Sequence, residues 1–548
     1  MYASCPPKFH PVELKLADHD PDGTRRWQLM TWAFVALGVA IRLNRYLLKF
    51  PLWGDELMLA ENFLDRGYSD LMQPLNNIQC APLLFLWIEL AAIKLIGFSE
   101  WSLRLFPAVC SIGGVFLFRH LASRIVQGLP LLIAVAIFAV SHLPIRYGAE
   151  VKPYASDLTV SLVLLVLAVE WLRRPQQSRW LWALALLAPI AIGLSFPAVF
   201  VAGGICLGIA WPAWRAGWRA RFALAACNLA TLGSFLLFAW LSLQGQFRSS
   251  GDYMQRYWAD GFPPVTQPLK LAAWLLLTHT GELLAYPIGG ERCGSILTAI
   301  CCGVGVWILA RKRQHTLLCM FAGIALLALI AAALRRYPYG DNSRLVQYLA
   351  PPICLLAGLG AAGLITALGS ARSQRRAALV LTVLLGLGGT AIVGFDLVHP
   401  YKYRADYVHR GFAQWFWSNQ PPGADVISLR PEDFQRFSTN WDRCAYRCMQ
   451  RIYAPQPGDA PNGPAPGGRP FRFVLYRSTD AKADEQALAA WLEDMRARYE
   501  LVEQRRFTVN LSIPRRKVIF GDYAVYEFAP RGGTSVARTP AEAGRLQR

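Results

Sequence analysis

Two carboxylates stand side by side at Asp55-Glu56, in the string Trp53-Gly54-Asp55-Glu56, seven residues past the first long apolar run. Acids where an apolar helix meets water are poorly placed for packing and well placed to take a proton. The plain structural alternative is a solvated helix start, with Asp55 as N-cap and both acids facing the positive helix end. A second cluster runs from Arg146 to Asp157, with cations at Arg146 and Lys152, carboxylates at Glu150 and Asp157, and Pro153-Tyr154 marking a turn or a helix start. Asp157 opens an apolar span, where an unpaired carboxylate is expensive without a partner or a task. A third cluster, Arg335-Arg336-Tyr337-Pro338-Tyr339-Gly340-Asp341-Asn342-Ser343-Arg344, holds three arginines. The planar arginine fork matches a phosphate or pyrophosphate. The alternatives are an internally salt-bridged loop for the second cluster and snorkelling to lipid phosphates for the third.

The elements that must position these groups are membrane helices. The chain has 548 residues, 54% of them hydrophobic and 17% charged. A soluble protein of this length carries more charge and shorter apolar runs. The net charge of +20 does not point to nucleic acid, because the basic residues fall in short loops between apolar runs. Hydropathy offers about thirteen candidate spans. Residues 82–98 carry Glu89 and Lys94, and residues 269–286 carry Lys270, His279 and Glu282. Read as interfacial helices, these two leave about eleven spans and place the basic clusters at 119–124, 173–179, 215–221, 311–313 and 372–376 on the side of Arg25-Arg26. The expected spans are 29–48, 101–118, 128–145, 156–172, 180–195, 197–213, 222–243, 293–310, 316–334, 345–367 and 377–395. All three polar clusters then open on the outer face, together with the loop that holds His279 and Glu282.

The expected fold is mainly α: a polytopic helical bundle with juxtamembrane helices and a small C-terminal α/β soluble domain. Its parts are a cytoplasmic segment 1–28, a membrane domain 29–398 with outer loops 49–100 and 244–292, an extracytoplasmic α/β domain 399–530 and a disordered end 531–548. In the tail, residues 424–429, 471–476, 501–509 and 518–528 pattern as strands, 484–499 as an amphipathic helix and 455–470 as a Pro/Gly loop. Most of the twelve cysteines read as small buried hydrophobes, while Cys444 and Cys448 sit in the polar tail, where an oxidising compartment would let them pair. No zinc-type spacing occurs.

A carboxylate and phosphate-binding cations on one membrane face suit one reaction class, transfer of a sugar from a polyprenyl phosphate to an acceptor hydroxyl. A base takes the hydroxyl proton, and cations stabilise the departing phosphate. At these residues the chain resembles the GT-C superfamily of integral-membrane glycosyltransferases, in the bacterial branch near the protein O-mannosyltransferases and the lipid A aminoarabinose transferase. The resemblance is carried by Trp53-Gly54-Asp55-Glu56, Ala81-Pro82-Leu83, Ser102-Leu103-Arg104-Leu105-Phe106-Pro107, Glu150-Val151-Lys152-Pro153-Tyr154 and Tyr337-Pro338-Tyr339-Gly340 with Arg344. It spans roughly residues 29–395 and implies that Asp55 is the catalytic base, with Glu56 assisting or orienting it. It also implies that Glu150, Lys152, Tyr154, Asp157, Tyr337 and Arg344 serve the donor phosphate or sugar. The chain departs from the pattern at Lys152, where relatives commonly carry arginine.

The expected partners are a polyprenyl-phosphate-linked sugar, a lipid, polysaccharide or protein acceptor, and membrane lipids, with no nucleic acid. The expected location is the inner (cytoplasmic) membrane. No organic cofactor is expected; related branches differ in using a divalent metal, and no acidic cluster is dense enough to predict one. The competing class is a transporter or flippase of a lipid-linked substrate, which predicts internal repeats that the sequence does not show. A catalytically dead scaffold sits poorly with the intact acidic pair.

Overall fold

The computed structural model describes residues 11–14, 21–340, 342–418, 425–428, 440–454, 471–477, 482–513 and 516–531. The expected Pro/Gly loop at 455–470, and all but the first residue of the expected disordered end at 531–548, lie outside the described residues. The chain divides into two compact units, one formed by Met1–Phe50 with Asp65–Pro400 and the other by Pro51–Leu64 with Tyr401–Arg548. Residues 51–64 thus pack with the tail, although the sequence reading placed them in an outer loop of the membrane domain.

The first unit is a polytopic helical membrane bundle. Each of the expected spans is helical, from Pro21–Leu47 through Ser102–Ile125, Tyr154–Arg173 and Ala198–Ala216 to Ala371–Val398. Among the described residues, seven helices are long and apolar enough to cross a membrane, or eight if the bent pair Leu129–Val140 and His142–Ala149 counts as one span. That falls short of the eleven expected. Arg179–Leu194 and Ile296–Arg311 are apolar but shorter, and Pro21–Leu47 carries Arg25, Arg26, Arg42 and Arg45. The two segments expected at the interface form helices of 14 residues (Leu83–Ile96) and 13 residues (Pro268–Thr280). At 1.5 Å per residue each spans only about 20 Å, against a hydrocarbon core of about 30 Å.

Burial sorts the helices by position. Trp218–Ser242 and Ala371–Val398 bury only 22% of their apolar windows, and Leu229, Trp240, Leu387 and Val398 project outward. Apolar side chains exposed on this scale belong in lipid. Tyr154–Arg173 and Ser343–Thr366 are 78% and 72% buried and run through the centre. Close approach there depends on small residues. A Cβ added at Gly360 would lie 1.8 Å from the Cys301 carbonyl oxygen, so no larger residue fits between Ala350–Thr366 and Ile296–Arg311. A two-residue parallel pair, β1 (Val12–Glu13) with β2 (Val126–Gln127), ties the N-terminal stretch to this unit.

The second unit is α/β. Strands β3 (Asp425–Ser428), β4 (Phe471–Arg477), β5 (Tyr499–Ile513) and β6 (Arg516–Pro530) form one sheet in the order β3-β4-β6-β5, with β3 and β4 parallel and the other pairs antiparallel. The expected strands and the helix Lys482–Arg498 are found. Phe471, Phe473, Tyr526 and Phe528 are buried on one sheet face, and Trp491 of that helix packs 4.0 Å from the Phe473 ring. Two helices that the sequence reading did not assign, Arg404–Ser418 and Asn440–Tyr453, complete the unit.

Candidate functional site

The acidic pair opens the helix Gly54–Ala60, whose N-cap is Trp53 rather than Asp55. Both acids therefore sit in the first turn, where carboxylates face the positive end of the helix dipole. Glu56 is fully buried and folds back to accept the Trp53 backbone N–H at 3.2 Å, one half of a capping box. Asp55 is half-buried. Lys402 Nζ lies 3.5 Å from the centre of the Trp53 ring, and Tyr403 packs against the same ring at 5.9 Å. Glu61, at the end of the helix, pairs with Arg447 at 2.8 Å.

In the membrane unit, Lys152 is buried and its ammonium donates to Gln79 Oε1 at 2.5 Å. Gln79 follows two residues in left-handed backbone, Asn77 (φ 58) and Ile78 (φ 56). A β-branched residue is rare in that region and needs its surroundings to hold it there. Gln246 supplies part of the support: its amide exchanges hydrogen bonds with both backbone groups of Ala81, at 3.2 and 3.3 Å. The Cys80 thiol is pushed up to about 12 by burial, with Lys152 acting in the opposite direction.

Tyr337 is the meeting point of the other candidates. It donates to the Leu345 carbonyl at 2.8 Å and stacks edge-on against Phe200 at 5.5 Å. Burial raises its pKa, and Asp157, Tyr348, Tyr154 and Cys80 are close enough to raise it further. Tyr154 packs edge-on against Tyr147 at 5.4 Å. Asp157 is buried in the first turn of Tyr154–Arg173, beside the Ser195 hydroxyl. Arg344 is buried with its guanidinium 4.7 Å over the Trp258 ring, and its backbone N–H is capped by Asn342 at 3.1 Å. The loop that carries it is tied to the preceding outer segment. His279 Nε2 lies 3.2 Å from the Tyr339 hydroxyl, Ser343 donates to Glu282 at 3.4 Å, and the backbone N–H groups of Tyr339 and Gly340 both reach the Gly261 carbonyl.

Glu150 keeps different company. It lies within electrostatic reach of Arg45, itself paired with Asp396 at 3.4 Å and close to Arg104 and Arg146. Arg104 donates to the Phe50 carbonyl. The structure thus gathers Lys152, Tyr154, Asp157 and Tyr337 with Gln79, and sets Glu150 in a neighbouring network of arginines. Sequence reasoning missed Gln79, Gln246 and Trp258, since an amide or an indole in an outer loop has no local signature. Among the described residues no group of three or more His, Cys, Asp or Glu is arranged to hold a metal.

A family model described as "Family of unknown function (DUF6541)" matches residues 102–426. The chain belongs to this family. The matched stretch includes the clusters at 146–157 and 335–344 and begins after the acidic pair. No curated protein matches the chain. Among solved structures, the chain is similar to ArnT from Cupriavidus metallidurans bound to undecaprenyl phosphate, at 13% identity and a TM-score of 0.50, covering 90% of this chain and 97% of that one. It is also similar to the apo oligosaccharyltransferase of Archaeoglobus fulgidus, at 10% identity and a TM-score of 0.44, covering 77% and 64% of the two chains. The DUF6541 chain thus has a membrane fold like that of ArnT.

Proposed function

We propose that this protein is an inverting membrane glycosyltransferase that moves a sugar from a polyprenyl phosphate to an acceptor hydroxyl on the extracytoplasmic face of the inner membrane. In this reading Asp55 takes the proton of the acceptor hydroxyl as its oxygen attacks the anomeric carbon. The bond from that carbon to the phosphate oxygen breaks, and the polyprenyl phosphate leaves with the electron pair. Single displacement inverts the anomeric centre. Glu56 fixes the first turn that carries Asp55. Lys152 and Arg344 meet the charge that develops on the phosphate, where a preorganised cation acts most strongly. Tyr154, Tyr337, Asp157 and Glu150 line and orient the donor side.

The observation that carries the reading is the buried Lys152–Gln79 pair beside Tyr154, Tyr337 and Asp157, in a fold like that of a protein crystallised with undecaprenyl phosphate. A buried ammonium is costly as packing and a good anion seat. The acceptor is a lipid, a polysaccharide or a protein, and the N-terminus is cytoplasmic.

Asp55→Asn tests the assignment of the base. Purified protein is given the 32P-labelled polyprenyl-phosphate sugars extracted from host membranes, together with acceptor extract, and the release of labelled polyprenyl phosphate is followed. Loss of a general base lowers the rate about 10²–10⁴-fold. Near-normal release by the variant refutes the base, and no release by the wild-type protein favours a transporter.

A further inference from the structure

We infer that the C-terminal unit positions the acidic pair, through a clamp in which Arg447 and Cys444 hold Glu61 at the end of the helix that carries Asp55. The inference rests on the reading of Asp55 as base and adds residues to it that the motifs do not assign.

The helix Gly54–Ala60 has seven residues. So short a helix is marginal alone, and its orientation must come from what it packs against. Its partner is Asn440–Tyr453. Glu61 is 1% exposed, and both of its carboxylate oxygens are taken by that helix: Arg447 Nη1 reaches Oε1 at 2.8 Å, and the Cys444 thiol donates to Oε2 at 3.0 Å. One turn back, the Cys448 thiol reaches the Leu57 carbonyl at 3.7 Å. Residues 444, 447 and 448 share one helix face, and 57 and 61 are one turn apart on the other helix. The contacts therefore fix register and rotation together. At the opposite end, Trp53 is held by Lys402, Tyr403 and Glu56. Asp55 sits between two anchors, to each of which the tail contributes. The Cys444 and Cys448 thiols each engage this segment.

A buried ion pair is a weak source of stability compared with apolar packing, and its best-attested use is to specify one register. Leu57, Leu59 and Ala60 already bury the apolar side of the helix. Apolar contact alone permits sliding and rotation, whereas a carboxylate shared between a guanidinium and a thiol has one arrangement. Glu61 and Arg447 are thus positioning residues.

The test uses full-length protein and the 32P-labelled polyprenyl-phosphate sugars as donor. Arg447→Met is expected to lower kcat about 10–100-fold, the scale of a misplacement near 1 Å, with the half-saturating donor concentration unchanged within about twofold. Arg447→Lys recovers most of the rate. Hydrogen exchange across 54–61 speeds up in Arg447→Met, and exchange in the membrane helices stays as in wild type. Because the single variant leaves a buried carboxylate unpaired, Glu61→Leu/Arg447→Leu is run beside it. The double variant keeps the wild-type melting temperature but not the wild-type kcat. Full kcat in the double variant, or unchanged exchange at 54–61 in Arg447→Met, overturns the clamp. Should Asp55→Asn prove active, the base assignment falls, and the exchange measurement still decides whether the clamp exists.

Discussion

At the scale of single residues, the donor side turns on Lys152. An ammonium has three donors, and Gln79 takes one of them at 2.5 Å. A charge-assisted contact to phosphate contributes about 1.5–3 kcal/mol. Lys152→Met is therefore expected to lower kcat/KM about 10–100-fold, chiefly through kcat because the contact strengthens as charge develops, while Gln79→Leu lowers it less because the charge remains. Steady-state rates against donor concentration check both. An unchanged kcat in Lys152→Met removes Lys152 from the stabilisation of the departing phosphate. His409, in the helix Arg404–Ser418, offers a different test. It is fully buried, and desolvation lowers its pKa from 6.5 to about 3. The folded state refuses a proton that the unfolded state accepts below about pH 6.5. Stability from this group is therefore complete above that pH and drains away as pH falls towards 3, by about 2 kcal/mol at pH 5. Hydrogen exchange across 404–418 should accelerate between pH 7 and 5 after correction for intrinsic rates. His409→Phe should flatten that dependence.

At the scale of elements, the turn Asn76–Ile78 shows how a strained segment is held. Ile78 adopts φ 56 and is 38% exposed, so its side chain returns little burial for the backbone cost. A left-handed residue of this kind costs about 1–2 kcal/mol, and asparagine tolerates the region better. Ile78→Asn should raise the melting temperature, whereas Gln246→Leu should lower it by unpairing two Ala81 backbone groups, at about 1–3 kcal/mol. Thermal unfolding of the two variants in detergent is the measurement. Opposite signs identify strain balanced by the Gln246 stitch, and a destabilised Ile78→Asn dismisses the strain. Neither feature was legible in the sequence. Hydropathy and charge are local quantities, so they located the helices and the strands of the tail. Gln246 and Ala81 are 165 residues apart, and Glu61 and Arg447 are 386 apart. Such pairs exist only after folding, which is why the motifs were visible and the groups that hold them were not. The same limit explains the N-cap: Asp55 has the right residue type, but the chain enters the helix two residues earlier.

At the scale of the whole molecule, the function rests on which loops share a side of the membrane. The helices Leu83–Ile96 and Pro268–Thr280 have 14 and 13 residues, and whether either crosses sets the side of every later loop. On a cysteine-free background, single cysteines at the exposed positions Ser69, Leu95, Gln267 and Arg336 should react with a membrane-impermeant maleimide in intact cells. Cysteines at the exposed positions Gln177, Lys312 and Ser373 should react only after permeabilisation. Ser69 and Leu95 lie on either side of Leu83–Ile96, so opposite behaviour of those two makes that helix a crossing. Gln177 and Lys312 bracket four expected spans together with Pro268–Thr280, and they share a side only if the latter does not cross. Labelling of both pairs as expected leaves an odd number of crossings between the N-terminus and the tail. The loops bearing Asp55 and Arg344 are then delivered to one compartment. Separation of Gln267 from Arg336 would instead put Arg344 beyond reach of any donor handled by Asp55, and the transferase reading would fail with it.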